Sequence, residues 1–238
     1  MRLALIGYGK MGKEIEAIAR ERGHDLVAIV STTNSNAWKD IKKESTDVCI
    51  EFTHPESAFE NIIRCISAGV PVVSGTTGWT ERMPEMQTLL DKENGSLFWA
   101  SNFSLGVNIM FRFNKMLAEM LARTGQYTPS IEEIHHIHKK DAPSGTAITL
   151  AEGVIEKFPR LKSWSLNISE TTEELVVRSI REDEVPGTHH VNYESDVDRI
   201  TLTHVAFSRK GFALGAVLAA EWLPGHSGLK SMNDLLKY

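Results

Sequence analysis

Cysteine is scarce in this 238-residue chain. The two present, Cys49 and Cys65, stand at no metal-ligand or redox spacing, which argues against a disulfide or a thiol redox pair, and both are expected as reduced core residues. Aromatic residues make up only 8% and do not interleave with a basic patch, and the formal net charge is −5, which argues against a nucleic-acid partner. No apolar run approaches the roughly twenty residues of a membrane helix. The N-terminus has no charged leader followed by an apolar stretch, so the expectation is a cytoplasmic enzyme without a membrane partner. No internal repeat or low-complexity tract occurs. What remains, 42% hydrophobic and 24% charged, is enough for one substantial core or two modest ones.

The first positive signal is at the N-terminus. Residues 2–6 (RLALI) read as a short buried strand that runs into Gly7-Tyr8-Gly9-Lys10-Met11-Gly12. Met11, Ile15, Ile18 and Ala19 then recur at helical spacing, with Gly23 at the place of a C-terminal glycine cap. Strand, G-x-G-x-x-G, helix and a second strand at 26–30 is the order of a dinucleotide-binding unit, whose glycines permit a tight turn and close approach to a pyrophosphate. The second strand ends in Ser31-Thr32-Thr33-Asn34, without the acidic residue that receives the ribose of NAD and without an Arg for a 2′-phosphate. The sequence therefore leaves NADH and NADPH both open.

Strand and helix then alternate: a strand at 47–52, a helix at 55–67 with Phe59, Ile62, Ile63 and Ile66 inward, a strand at 70–73, a helix at 86–93 and a strand at 96–100. The glycine- and threonine-rich loop at 74–79 and the polar loop at 101–104 fall at strand ends, where doubly wound sheets bind ligands. After a long helix at 107–123 the grammar changes to β-branched segments around 175–177, 190–193 and 199–205, and a small-residue helix at 211–222 closes the series. The expected fold is α/β, a Rossmann-like doubly wound parallel sheet domain plus a second α+β domain with a mixed sheet. The first takes residues 1–104 and 211–238, the second 105–210.

The densest chemistry is at 132–147, EEIHHIHKKDAPSGTA. His135, His136 and His138 end a segment with strand character, and Ser144 caps a helix whose first-turn amides suit a carboxylate or phosphate. Imidazoles able to exchange protons near neutral pH are thus placed beside an anion site. His136 and His138, two apart, would share a strand face. No carboxylate or cysteine completes them at ligand spacing, so no metal is expected.

These motifs together resemble the 4-hydroxy-tetrahydrodipicolinate reductase (dihydrodipicolinate reductase) family of lysine and diaminopimelate biosynthesis, over nearly the whole chain. Its signature E-x-H-x-x-x-K-x-D-x-P-S-G-T-A falls on Glu133, His135, Lys139, Asp141, Pro143, Ser144, Gly145, Thr146 and Ala147. GTTG at 75–78, NFSxGVN at 102–108, and His204, Ser208, Arg209, Phe212, Gly215 and Ala216 support it. The glycine loop is one residue shorter than the family's usual G-x-x-G-x-M-G.

The resemblance implies hydride transfer from NADH or NADPH to a small dicarboxylate held between the two domains. It makes His135 the general acid or base, Lys139 a proton donor and carboxylate partner, His136 a substrate contact, and the Gly145 and Thr146 amides a carboxylate cradle. For the coenzyme it implies Gly7, Tyr8, Gly9, Lys10, Met11, Gly12, Thr32, Gly75, Thr76, Thr77, Ser101, Asn102 and Phe103. Assembly as a homotetramer through the sheet of the second domain is also implied.

Overall fold

A computed structural model describes residues 1–237. The chain divides into two compact units, one comprising Met1–Ser104 together with the chain from Arg209 onward, the other Leu105–Ser208. Arg209 and Lys210 fall with the first unit rather than the second because Arg209 is the N-cap of the closing helix.

The first unit is a six-stranded sheet in which every pairing is parallel: β1 (Arg2–Ile6), β2 (Asp25–Val30), β3 (Val48–Glu51), β4 (Val72–Ser74), β5 (Ser96–Trp99) and β11 (Gly228–Lys230), in the order β11-β5-β4-β3-β1-β2. Strand β1 pairs with both β2 and β3, so chain direction across the sheet reverses there, and the crevice outside its carboxyl end is where such sheets receive ligands. Between the strands run α1 (Lys10–Glu21), α2 (Pro55–Ser67) and α3 (Met83–Glu93). Helix α2 starts on Pro55 with Glu56 in its first turn and Arg64 in its last, and buries Ala58, Phe59, Ile62, Cys65 and Ile66 at i, i+3, i+4 spacing. Gly69 (φ +70°) then turns the chain into β4.

Helix α6 (Lys210–Trp222) rejoins this unit and packs on α1, β3 and β4. A Cβ on its Gly215 would stand 1.7 Å from the Phe103 carbonyl oxygen, so the helix approaches the backbone after β5 at a distance only glycine allows. Cys49 and Cys65 are free and fully buried in the core.

The second unit has a five-stranded mixed sheet of order β10-β9-β6-β8-β7, from β6 (Thr128–His135), β7 (Ser163–Leu166), β8 (Glu174–Arg181), β9 (Thr188–Glu194) and β10 (Arg199–Val205). Pairs β6–β8 and β7–β8 are parallel, β6–β9 and β9–β10 antiparallel. Helices α4 (Leu105–Ala122) and α5 (Gly145–Ile155) cover one face, over a core that includes Ile131, Leu150, Val154, Val177, Val191 and Tyr193. The buried Asn114 amide of α4 donates to the Leu150 carbonyl of α5 at 2.9 Å and accepts from Tyr193 at 3.0 Å.

Sequence reasoning passed over short elements: β7, β11, the 3-10 turns at Ser35–Asp40 and Thr80–Arg82, and α7 (Met232–Leu236). Three to six residues carry too little periodicity to register. Helix α7 did carry a signal, the reciprocal Ser231–Asp234 capping box. The histidine segment differs more consequentially. Strand β6 ends at His135, and His136 and His138 lie in the following turn, so they do not share a strand face.

Gly215→Ala is expected to cost about 1–3 kcal/mol of stability, because the methyl displaces a backbone carbonyl rather than a flexible side chain. Chemical denaturation measures this, and an unchanged midpoint would contradict the packing described.

Candidate active site

In the first unit, a cavity of about 740 Å³ opens at the carboxyl ends of β1, β2, β3 and β4. Gly7 (φ +96°) has no room for a side chain, since a Cβ would lie 2.0 Å from the Phe52 carbonyl oxygen, and one on Gly12 would lie 2.3 Å from the Gly7 oxygen. Gly9 is different: nothing stands within 4 Å of where its Cβ would be. It is the N-cap of α1, makes no side-chain capping bond, and no acidic residue occupies the first turn, so the helix presents its positive end to the cavity uncompensated.

Of the residues assigned to a coenzyme, Gly7, Tyr8, Gly9, Lys10, Met11, Thr32, Gly75, Thr76 and Thr77 line this cavity. Gly12 instead serves the close contact of helix and loop. Ser101, Asn102 and Phe103 are not in the lining. Phe103 is core, its ring 5.6 Å from Phe52 and 5.8 Å from Phe98, and the Asn102 side chain accepts from the Ser104 amide. The sequence reading missed Trp38, His54, Ser57 and Asn61, which also line the cavity. The rule that ligands sit beyond strand ends points equally to the loop after β3 that carries His54.

The sequence reading also missed Glu51, fully buried at the end of β3. It accepts from Ser74 at 2.6 Å, from Thr76 at 3.0 Å and from the Thr53 hydroxyl. Burial pushes its carboxyl up from the ordinary carboxylate value, and these hydroxyl bonds only partly oppose that. Thr76 is committed internally, since its hydroxyl also accepts from the Thr53 amide and its carbonyl takes both the Trp79 and Trp99 indoles. Its side chain therefore holds the cavity wall in place.

In the second unit, the alternation of β6 puts Ile131, Glu133 and His135 on the covered face. Cross-strand register sets Ser179 on one side of Glu133 and His189 on the other, with His204 opposite His189, a polar row across four strands. Both Glu133 oxygens accept the Ser144 amide (3.1 and 3.0 Å), and Oε1 also takes the Ser179 hydroxyl at 2.8 Å. The Arg181 guanidinium stands 3.4 Å from Oε1, and Oε2 lies 3.3 Å from His135 Nδ1. Burial opposes ionisation of Glu133, but the bonds from His135, Ser144 and Ser179 outweigh it and hold the carboxyl far below its usual value.

The rest of the junction hangs on this carboxylate. Arg181 donates to the carbonyls of Asp141 (2.6 Å), Ile180 (2.9 Å) and Lys139 (3.3 Å), which fixes the loop after β6. Lys139, four-fifths buried, pairs with Asp141 at 2.7 Å. Ser144 caps α5 by accepting from the Ala147 amide, placing Gly145 and Thr146 in the first turn. His136 is half-buried in the turn, while His138 is exposed and 3.4 Å from Glu184. The structure thus assembles His135, the Lys139 loop and the start of α5 around one buried charge, and leaves His138 outside. Among the described residues one group has metal-ligand proximity, Glu133, His135 and His189, with ligand atoms within 4.8 Å of one another.

Comparison with known proteins covers both units of the chain. The family described as dihydrodipicolinate reductase, N-terminus, matches residues 1–103, and the one described as dihydrodipicolinate reductase, C-terminus, matches residues 106–236. The chain belongs to the dihydrodipicolinate reductase family. A 4-hydroxy-tetrahydrodipicolinate reductase of Christiangramia forsetii is 46% identical over 99% of this chain and 98% of its own length, and one of Archaeoglobus fulgidus is 39% identical over 83% and 79%. A dipicolinate-bound dihydrodipicolinate reductase from Paenisporosarcina sp. TG-14 has the same fold, with TM-score 0.78, 24% identity and 97% of each chain covered. No helix of the described residues is long and apolar enough to cross a membrane.

Two outcomes test this geometry. Gly9→Ala is expected to fold normally and weaken coenzyme binding by about tenfold or more, since its methyl meets only the approach to the helix terminus. Intact binding by titration would contradict that placement. The second concerns pH. Burial first, with the neighbouring His135 adding to it, lowers the His189 pKa from 6.5 to about 3. The unfolded chain takes up a proton there below pH 6.5 that the folded site refuses until about pH 3. The resulting stability is complete above pH 6.5 and is lost as pH falls, by up to about 1.4 kcal/mol per unit. Glu133 adds the same sign below its ordinary value. Denaturation midpoints should fall between pH 7.5 and 5.5, with a shallower slope for His189→Asn; equal slopes would refute the assignment.

Proposed function

We propose that this protein uses NADH or NADPH to reduce 4-hydroxy-tetrahydrodipicolinate, through its dehydrated form dihydrodipicolinate, to tetrahydrodipicolinate in cytoplasmic lysine and diaminopimelate biosynthesis. One observation carries the reading: His135, the Lys139 loop and the first turn of α5 converge on Glu133, in a chain 46% identical to a relative of that name.

The residues of the first unit fit a dinucleotide. The uncapped start of α1 and the open space at Gly9 suit a pyrophosphate, with Lys10 as the one lysine or arginine in the lining. A reduced nicotinamide, when bound, supplies the hydride. Reducing a conjugated ring imine in this way leaves an enamine that must gain a proton, so a titratable group is required. His135 holds that proton on its imidazole. Lys139, oriented by Asp141, supplies a second acidic hydrogen and a charge for one substrate carboxylate. The amides of Gly145 and Thr146 at the start of α5 cradle the other, and His136 adds a polar contact.

The cavity lining contains neither an Asp or Glu to repel a 2′-phosphate nor an Arg to clamp one, which favours use of both coenzymes. The same proposal includes a homotetramer joined through the outward face of the second unit's sheet. Glu132, Arg178, His190 and Asn192 surround a cavity of about 670 Å³ there, a polar face suited to partner contacts.

With aspartate semialdehyde, pyruvate and the preceding synthase, loss of NADH and of NADPH absorbance should both be seen. His135→Ala and Lys139→Ala should each lower turnover by about 100-fold or more while coenzyme affinity stays unchanged. Near-normal turnover in either variant would reassign the roles, and no oxidation of either coenzyme by the unaltered protein would remove the proposal.

A further inference from the structure

We infer that Glu133 is a positioning residue: it takes the Nδ1 hydrogen of His135, so that Nε2 is left as the nitrogen that exchanges protons with the substrate. The inference rests on the reaction assigned above to His135, and deepens it.

The geometry supports this from both sides of the ring. Nδ1 is sealed from solvent and has no hydrogen-bond partner in the resting site, and the carboxylate oxygen beside it is Glu133 Oε2 at 3.3 Å. Contacts of this length are common in unliganded sites and tighten when substrate binds. On the other side, Nε2 faces Gly187, where an added Cβ would stand 3.0 Å away, so the missing side chain keeps that nitrogen uncovered. A carboxylate that fixes an imidazole tautomer this way is the arrangement by which histidine bases are oriented on unrelated folds.

Three further groups direct the carboxylate to His135. His189 also approaches Oε2, at 3.8 Å, with its ring edge-on to His135 at 5.1 Å. Its Nε2 is engaged with the Ser144 hydroxyl at 3.1 Å, and burial keeps it neutral, so it does not compete for the charge. Oε1 is occupied by Ser179 and Arg181. The ring therefore meets Oε2, which otherwise takes only a share of the Ser144 amide, and Arg181 supplies the compensating cation that a metal ion would otherwise bring.

A glutamine at this position has a forced orientation. Its carbonyl must face the Ser144 amide, the Ser179 hydroxyl and Arg181, all donors, which turns its NH2 toward His135 Nδ1 and drives the ring to the opposite tautomer. Glu133→Gln should thus lower kcat by about 10- to 100-fold, with KM and coenzyme affinity little changed. In a His135→Ala background the same substitution should cost several-fold less, because Glu133 then has no imidazole to orient and only its hold on the Arg181 loop is weakened. A loss of equal size in both backgrounds would mean a structural role and overturn the inference.

Nitrogen-15 NMR of the unaltered protein, with His135 assigned by comparison with His135→Asn, gives a readout that needs neither turnover nor a folded Glu133 variant. Expected is a neutral ring protonated at Nδ1, and protonation at Nε2 overturns the proposal. Because this measurement is made on the resting protein, its failure is distinct from failure of the assigned reaction, which the wild-type assay reports. A stoichiometric divalent ion in the purified protein whose chelation abolishes turnover would instead make Glu133, His135 and His189 ligands, and would also overturn it.

Discussion

A buried charge has to be answered, and the Glu133 carboxylate organises the second unit because of what answers it. Taking an ion out of water costs several kcal/mol unless hydrogen bonds and an opposite charge replace its hydration. Here the replacements come from three places at once: the amide of the α5 cap residue Ser144, the hydroxyl of Ser179 on the neighbouring parallel strand, and the guanidinium of Arg181. Satisfying one carboxylate therefore fixes the start of a helix, the edge of a strand and, through the three carbonyls that Arg181 holds, the lysine-bearing loop. The residues proposed to move a proton and to bind carboxylates inherit their positions from this network.

The first unit holds a second buried carboxylate, also near a strand end, and its behaviour is opposite. Glu51 has hydroxyl partners and one backbone contribution but no cation, so burial prevails and its proton is held more tightly. Glu133 has backbone and cationic partners, and ionisation prevails. Two side chains of one chemical type are driven apart by their surroundings alone. The difference suits their places: a charge beside an imidazole can orient it, whereas a carboxyl tied to the hydroxyls of Thr53, Ser74 and Thr76 joins two loops beneath the cavity.

Glycine loop and helix start illustrate the same economy in the backbone. Gly7 and Gly12 are required by the protein's own close contacts, and Gly9 alone leaves its space open. One motif thus contains two residues that build the turn and one that leaves room for what the turn receives.

Much of this was legible in the sequence. Buried strands, Pro55 and Glu56 at the start of α2, the Ser144 cap and the change of grammar after residue 104 all follow from local rules, because periodicity, capping and turn chemistry act over a few residues. The signature at 133–147 likewise marked the segment to which the chemistry is assigned under the proposed function. The tertiary structure decided what no local pattern contains: that the strand stops at His135 and leaves His138 outside, that Phe103 belongs to the core, and that Ser179, Arg181 and His189, more than forty residues downstream, meet Glu133 across the sheet. Strand register and burial arise from contacts between distant segments, so the chain specifies them only once it has folded.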